Sequence, residues 1–169
     1  MKRISLTRGL STWVSNSDYS RLRKFSWYAL KCRDYFYAAR KSRRDAGAQK
    51  MVLMHWDILV IKNGDHKNGQ TLDNRRCNLR VCSLSQNAAN RKRRSDNTSG
   101  FKGVSLRYGK WLARIGYKRT RITLGCFLNQ IEAARAYDAA ALKHFGKFAR
   151  VNFPKSKTKT NTKIQKLWK

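Results

Sequence analysis

The chain has 169 residues, with 39 Lys and Arg against nine Asp and Glu, and a formal net charge of +30. A hydrophobic content of 41% is enough for a modest core and excludes a wholly disordered chain. Because so large a positive charge repels itself unless a polyanion neutralises it, the composition favours nucleic acid as the partner. A ribosomal or nonspecific packaging protein fits the charge equally well, so charge alone leaves the function open.

The sequence contains no pattern typical of a membrane or secreted protein. Its longest apolar run, residues 51–61, is interrupted by His55 and Asp57 and is too short to cross a bilayer. The four cysteines form no CxxC pair, which argues against a structural zinc site. We therefore expect reduced thiols, a cytoplasmic protein and no membrane partner.

The first region, residues 1–95, places an acid, an imidazole and several amides close together. Asp65 and His66 lie in "NGDHKNGQ", a loop predicted to follow a strand at "MVLMHWDI". The segment "SLSQNAANRKRR" predicts a helix that Ser83 caps and that contains Asn87. Such a loop and helix can bring Asp65, His66 and Asn87 around one point. Carboxylate and amide oxygens suit a hard divalent cation, and a neutral imidazole can take a proton from water.

These motifs resemble the zinc-free branch of the HNH nucleases, found in homing endonucleases of phages and introns. The matching segments are "MH", "DHKNG", "LDNRRCNLRVC" and "SQNAANR". The resemblance implies a ββα metal domain in which Asp65 and Asn87 hold Mg²⁺ or Mn²⁺ and His66 is the general base. It also implies that Asn78 braces the loop and that His55, which matches the first histidine of the branch, belongs to the site.

Two positions depart from the HNH pattern. Trp56 stands where the family has Arg, and Gly64 stands where it has a β-branched residue. These departures keep an alternative open, in which the chain is a non-enzymatic DNA-binding protein, a regulator or a packaging protein, with a degenerate nuclease domain.

The second region, residues 96–154, begins at the turn-rich segment "SDNTSG". Alternating side chains in "WLARIG" and "RITLG" predict two strands joined by a turn at "GYKRT", after a first strand at residues 104–106. Asn129 and Glu132 form a capping-box pattern before the alanine-rich helix "AARAYDAAALKHF". The pattern predicts a three-stranded antiparallel sheet packed on one helix. A ribbon of this kind fits the DNA major groove, where Arg can read guanine.

This region resembles the plant ethylene-response-factor type of DNA-binding domain, also called the APETALA-two domain. The matching segments are "GFKGVSLRYGKWLARI", "ITLGCF", "EAARAYDAAALKHFG" and "VNFP". By position, the resemblance implies DNA contacts from Lys102, Ser105, Arg107, Tyr108, Arg114, Arg121 and Thr123. The alternative is that these side chains touch only phosphates and carry no sequence information.

The lysine-rich segment 155–169 follows the only proline and is predicted to be a flexible tail that adds phosphate contacts. Taken together, the patterns predict an α+β protein with an HNH domain at residues 1–95 and a sheet-type DNA-binding domain at residues 96–154. The function they predict is a metal-dependent endonuclease of a phage or mobile element, acting on duplex DNA in the cytoplasm of a bacterial host. A monomer is favoured.

Overall fold

Four small sheets and four α-helices make up the described part of the chain, residues 1–42 and 49–154, in a computed structural model. The mixed α+β class predicted from the sequence is confirmed. The predicted tail, residues 155–169, lies outside the described residues. Within the described ranges, no helix is both long enough and apolar enough to cross a membrane.

The first region contains eight short strands and three helices among its described residues. In chain order they are β1 (Lys2–Ser5), β2 (Ser11–Val14), α1 (Asn16–Leu22), β3 (Tyr28–Cys32), β4 (Tyr35–Lys41), β5 (Met51–Leu53), α2 (Met54–Leu59), β6 (Gly64–His66), β7 (Asp73–Asn74), β8 (Leu79–Val81) and α3 (Leu84–Asn90). β1 and β2 form a hairpin that β7 extends in parallel, β3 to β5 form a meander, and β6 pairs antiparallel with β8.

A single apolar core supports these sheets. Its most deeply buried side chains are Val14, Leu22, Met54 and Ile58. The core holds α2 against the meander, and α2 in turn packs beside β6 and β8. It therefore fixes the position of Asp65 and His66.

The predicted strand "MVLMHWDI" is wrong beyond Leu53. Pairing with β4 ends at the Ala39–Leu53 pair, and the chain then turns into α2. Met54 and Ile58, four residues apart, are both buried on one face of that helix. A short apolar run fits a buried strand or a buried helix equally well by periodicity, which is why the sequence pattern misleads here.

The helix predicted at "SLSQNAANRKRR" is confirmed, although it ends at Asn90. Ser83 Oγ accepts a hydrogen bond from the backbone N–H of Gln86, and the Gln86 side chain accepts one from the backbone N–H of Ser83. This capping box satisfies two backbone donors that the first helical turn otherwise leaves unpaired.

The second region contains β9 (Val104–Arg107), β10 (Lys110–Tyr117), β11 (Thr120–Phe127), α4 (Gln130–Phe145) and a 3-10 turn (Gly146–Phe148). β10 lies between β9 and β11 and pairs antiparallel with both. Helix α4 packs on one face of this sheet through Ala133, Ala134, Tyr137 and Ala141. The predicted arrangement of three strands on one helix is thus present.

The two regions share a packed contact. Cys82 and Ala89 of the first region belong to the same buried cluster as Ile115, Tyr137 and Phe148 of the second. The backbone N–H of Arg150 donates to the carbonyl of Ala89 over 3.2 Å. The predicted boundary between residues 95 and 96 stays a prediction.

Gly103, the residue before β9, lies against Tyr137 of α4. Its φ is +76°, and a Cβ there would overlap the ring of Tyr137. Gly100 has almost the same φ, +74°, but a Cβ there would meet nothing within 4 Å. Alanine at Gly100 therefore reports the free-energy cost of the left-handed backbone alone, whereas alanine at Gly103 reports that cost together with the cost of a steric clash.

We expect Gly103→Ala to lower the free energy of unfolding by about 1–3 kcal/mol more than Gly100→Ala. Both variants carry the left-handed backbone cost of roughly 1–2 kcal/mol, and only Gly103→Ala adds overpacking. Urea denaturation of the two variants measures the difference. Equal losses would show that Tyr137 does not press on this turn.

Candidate nucleic-acid interface and buried polar cluster

The sheet face that points away from α4 carries mainly cations and small polar side chains. On β10 the alternation places Lys110, Leu112 and Arg114 on this face. Residues directly opposite each other on paired strands share a face. The cross-strand partners of these three are Arg107 and Ser105 on β9, and Cys126 and Thr123 on β11.

A β-bulge in β11 arranges this face. Arg114 pairs with Thr123 while Ala113 pairs with Gly125, so Leu124 is the extra residue. The bulge shifts the alternation by one position, so that Thr123 points outward on one side of it and Cys126 on the other. Leu124 instead packs in the core beneath α4. Plain alternation along "RITLG" does not reveal this shift.

Two tight turns extend the face at opposite ends of β10. Tyr108–Gly109 joins β9 to β10, and Lys118–Arg119 joins β10 to β11, with positive φ at all four residues. Two-residue turns with positive φ match the twist of a hairpin, but non-glycine residues are uncommon there. The turns therefore hold an aromatic ring at one tip and two cations at the other. β10 is eight residues long, which separates the tips by about 24 Å.

The tip at Tyr108 is highly exposed. The tyrosine is 90% accessible, and the guanidinium of Arg107 lies 5.2 Å from its ring centroid. A groove of about 400 Å³ runs from this tip past Lys110 and Leu112 to Arg114. An exposed aromatic beside cations offers a surface on which a nucleic acid can pack and pair its phosphates.

Arg114 is the half-buried member of the face. Its Nε atom is buried and has no hydrogen-bond partner among the described residues. A buried donor without an acceptor is costly. Arg114 is thus held in the sheet with one hydrogen bond unmade.

The structure brings most of the predicted DNA-contact residues together. Ser105, Arg107, Tyr108, Arg121 and Thr123 are exposed on the outward face or its tips. The sequence prediction missed four others on this surface: Lys110, Lys118, Arg119 and Cys126. Continuing the period-two alternation from Arg114 back to Lys110 would have found the first of them.

Lys102 does not join the outward face. Its Nζ donates to the backbone carbonyls of Ala89 and Arg91, at the end of α3, the second over 2.8 Å. Burial, followed by the charges of Arg150 and Arg91, lowers the pKa of Lys102 to about 8. The structure therefore corrects its predicted place: Lys102 connects the two regions.

The acid and amides of the first region form a closed cluster. Asp65 is buried, and its Oδ2 accepts from Arg80 Nη2 at 2.8 Å and from Arg80 Nε at 3.1 Å. Asn90 Nδ2 lies 3.1 Å and 3.0 Å from the two carboxylate oxygens and also donates to the carbonyl of His66. Asn90, and not the predicted Asn87, reaches Asp65.

This cluster does not fit a divalent cation. Asp65 faces a guanidinium and an amide N–H, which are hydrogen-bond donors, whereas a cation needs oxygen acceptors. Asn87 is half-buried, and its side chain makes no hydrogen bond to a described residue. Within the described ranges, no group of three or more His, Cys, Asp and Glu could hold a metal ion. The divalent ion predicted from the sequence stays a prediction, without a fitting site at Asp65.

The two histidines lie beside the cluster and are buried. His66 Nε2 is 3.1 Å from Asn74 Oδ1, and Asn74 Nδ2 donates to Thr12 Oγ1. Since Asn74 uses its amide N–H on Thr12, its oxygen faces His66, and the Nε2 atom carries the proton. The ring of His55 lies 4.8 Å from that of His66. Burial lowers the pKa of both imidazoles, that of His55 to about 3 with His66 contributing.

Asn78 spans the loop between β6 and β8. Its Oδ1 accepts from the backbone N–H of Asn68 at 3.0 Å, and its Nδ2 donates to the carbonyl of Asp73 at 2.8 Å. These bonds tie the loop across its base.

No family model matches the chain. Curated relatives match over about a third of it. Dehydration-responsive element-binding protein 2A of Arabidopsis thaliana is 48% identical over 59 residues, which are 33% of this chain and 18% of that protein. Ethylene-responsive transcription factor ERF010 of Arabidopsis thaliana is 46% identical over 57 residues, 32% of this chain and 31% of that protein.

A third relative, from Oryza sativa subsp. japonica, is an AP2/ERF and B3 domain-containing protein, 43% identical over 61 residues, 36% of this chain and 17% of that protein. The relatives are AP2/ERF DNA-binding domain proteins. They support an AP2/ERF-type domain in the C-terminal region of this chain, and the sheet on α4 is consistent with that fold. The chain spans less than a third of the length of each of these three relatives.

The prediction of an HNH endonuclease is wrong by these comparisons. One of these relatives is named as a transcription factor and another as a responsive element-binding protein, which matches the non-enzymatic alternative. Neither the comparisons nor the described residues support an HNH ββα-metal domain. The geometry at Asp65 also argues against a metal ligand there, because Arg80 already neutralises its carboxylate. The roles inferred for His55 and Asn78 rested on that resemblance, and the role inferred for His66 rested on it together with the acid–base chemistry of a neutral imidazole.

The buried histidines make the stability of the fold depend on pH. Each of these histidines has a folded-state pKa below the unfolded value of about 6.5. As the pH falls below 6.5, the two imidazoles are therefore protonated in the unfolded chain before they are protonated in the folded one. Their contribution is complete above pH 6.5 and is lost as the pH falls toward the folded pKa.

We expect the free energy of unfolding to fall between pH 7 and pH 5, with a slope of up to about 1.4 kcal/mol per pH unit for each histidine. His55→Gln should reduce that slope, because it removes one of the two buried imidazoles. Denaturant unfolding of wild type and His55→Gln at several pH values measures the two slopes. An identical slope in wild type and His55→Gln would show that His55 is not buried as a neutral ring.

Proposed function

We propose that the chain is a non-enzymatic protein that binds duplex DNA with the outward face of its three-stranded sheet. The observation that carries this proposal is the arrangement of Arg107, Lys110, Arg114 and Arg121 on one face of a sheet whose other face is covered by α4. The net charge of +30 supports a polyanionic partner. The names of the relatives support DNA as that partner.

The sheet suits the major groove in size and rigidity. A two- or three-stranded ribbon fits a groove about 12 Å wide, and the length of β10 lets side chains at both tips reach the flanking backbone. Tyr108 at one tip, and Lys118 and Arg119 at the other, then contact phosphate and sugar. The arginines between the tips face the base edges.

Base reading falls to the arginines, since guanidinium groups can donate two hydrogen bonds to O6 and N7 of guanine. Arg121 is exposed and makes no side-chain hydrogen bond to a described residue, so its donors remain available.

Cytoplasmic localisation, the monomeric state and the divalent ion stay predictions.

Arg121→Ala in the full chain should weaken binding to a preferred duplex by roughly 1–3 kcal/mol and relax base preference at one position. Arg135→Ala removes the same charge from the exposed face of α4, on the far side of the sheet, and serves as the matched control. Selection from a random duplex pool, followed by anisotropy titration, measures preference and affinity.

A uniform loss across all sequences would assign Arg121 to phosphate contact and favour a nonspecific packaging protein. If Arg121→Ala and Arg135→Ala behave alike, the outward face is not the interface.

A further inference from the structure

A cationic cleft lies where the end of α3 meets the start of the second region. Its volume is about 460 Å³. Among the residues that line it are five cations and no acid: Lys92, Arg93, Arg94, Lys102 and Arg150. The cleft is separate from the sheet face, because none of these cations belongs to the outward-facing set.

The floor of the cleft is fixed before any ligand arrives. Asn152 Oδ1 accepts from the backbone N–H of Lys102 at 2.7 Å, and Asn152 Nδ2 donates to the Lys102 carbonyl at 3.1 Å. Asp138 holds Asn152 in turn, with Oδ1 accepting from both its backbone and side-chain nitrogens. Lys102 Nζ uses two of its three N–H donors on Ala89 and Arg91. One donor is left over on an ordered ammonium group.

Most of the cations in the walls of the cleft have no carboxylate partner among the described residues. Lys92 and Arg93 are exposed and make no side-chain hydrogen bond or ion pair to a described residue. The Arg150 guanidinium donates hydrogen bonds only to backbone carbonyls, those of Asn90 and Asn68, at 3.4 and 3.5 Å. Arg94 is paired with Asp96 at the exposed rim. Three cations therefore face the cleft with no neutralising acid among the described residues.

Crowding of like charge is visible in the cleft itself. The positive charges of Arg150 and Arg91 add to burial in lowering the pKa of Lys102 to about 8. An anion bound among these groups would relieve that repulsion.

The absence of aromatic side chains from the lining of the cleft indicates which chemical group it can bind. None of its lining residues is aromatic, and Val151 is the one apolar side chain among them, so the cleft offers no platform for a base. A phosphodiester group needs charge and hydrogen-bond donors alone.

We propose that this cleft binds a backbone phosphate of the same duplex, outside the footprint of the sheet. The proposal rests on the proposed function. It assigns Lys92, Arg93 and Arg150 to phosphate contact, and Lys102 to holding α3 and the second region in the geometry that forms the cleft.

The test uses Lys92→Gln/Arg93→Gln in the full chain, because both side chains are exposed and make no hydrogen bonds to described residues that the fold needs. The matched control, Arg135→Gln/Lys143→Gln, removes two exposed charges from α4. Affinity is measured against salt on a duplex of several helical turns, and phosphate contacts are mapped by ethylation interference.

The cleft variant should flatten the slope of log affinity against log salt by about 0.9 for each phosphate that it no longer neutralises, and so by at most about 1.8. Ethylation interference should disappear at one or two phosphates while base preference stays as in wild type. The control should change neither. Equal slopes in the two double variants, or an unchanged interference map in the cleft variant, would overturn the proposal.

Two further comparisons distinguish failure of the cleft proposal from failure of the proposed function. If Arg121→Ala relaxes base preference but the cleft variant behaves like its control, the cleft proposal alone fails. If the wild-type chain binds no duplex, the proposed function fails and the cleft proposal with it.

An NMR titration of the Gly100 amide follows the cleft directly. A shift with millimolar inorganic phosphate but none with duplex would mean a site for a free anion, and would overturn the assignment to DNA.

Discussion

The ion pair between Arg80 and Asp65 is the interaction on which the polar cluster of the first region depends, and it also joins that cluster to the second region. The Arg80 guanidinium neutralises the buried carboxylate of Asp65 at 2.8 Å, donates to the carbonyl of Lys147 at 2.6 Å and lies 4.2 Å from the ring centroid of Phe148. A buried carboxylate without a partner would cost several kcal/mol, so Asp65 requires Arg80 where it stands. Because the same guanidinium packs on Phe148, the polar cluster of the first region and the 3-10 turn after α4 are held together by one side chain.

Much of the second region could be predicted from the sequence, because its local signals agree with its packing. Alternating side chains, a two-residue turn and an alanine-rich helix with Asn129 as its cap all specify one sheet on one helix. The bulge at Leu124 could not be predicted, since it depends on pairing between β10 and β11 and leaves no local signal. The place of Lys102 could not be predicted either, because the partners of its Nζ lie thirteen and eleven residues away in a different region.

The first region shows why residue types alone misled the prediction of the site. Asp65, His66 and Asn87 are the residue types of a metal centre, but the residue that reaches Asp65 is decided by the geometry of α3. The last turn of that helix presents Asn90 to Asp65, and β8 presents Arg80. Both are donors, so the carboxylate is satisfied without a cation. The short helix α2 was missed for a related reason, since its six residues carry too few turns for a helical period to be distinguished from a strand.

Several features of the outward face lower the folding stability of the protein when no ligand is bound. Arg107 and Lys110 are direct cross-strand neighbours, and like charges in that position destabilise a sheet. Lys118 and Arg119 occupy backbone conformations that favour glycine, and Arg114 keeps a buried donor unpaired among the described residues. The apolar packing of α4 on the opposite face offsets these costs without removing them. A polyanion reduces the first of these costs, because it screens the paired cations Arg107 and Lys110. The backbone cost at Lys118 and Arg119 and the unpaired Nε of Arg114 are properties of the sheet itself. The repulsive cation pair is therefore placed on the surface where duplex binding would stabilise it.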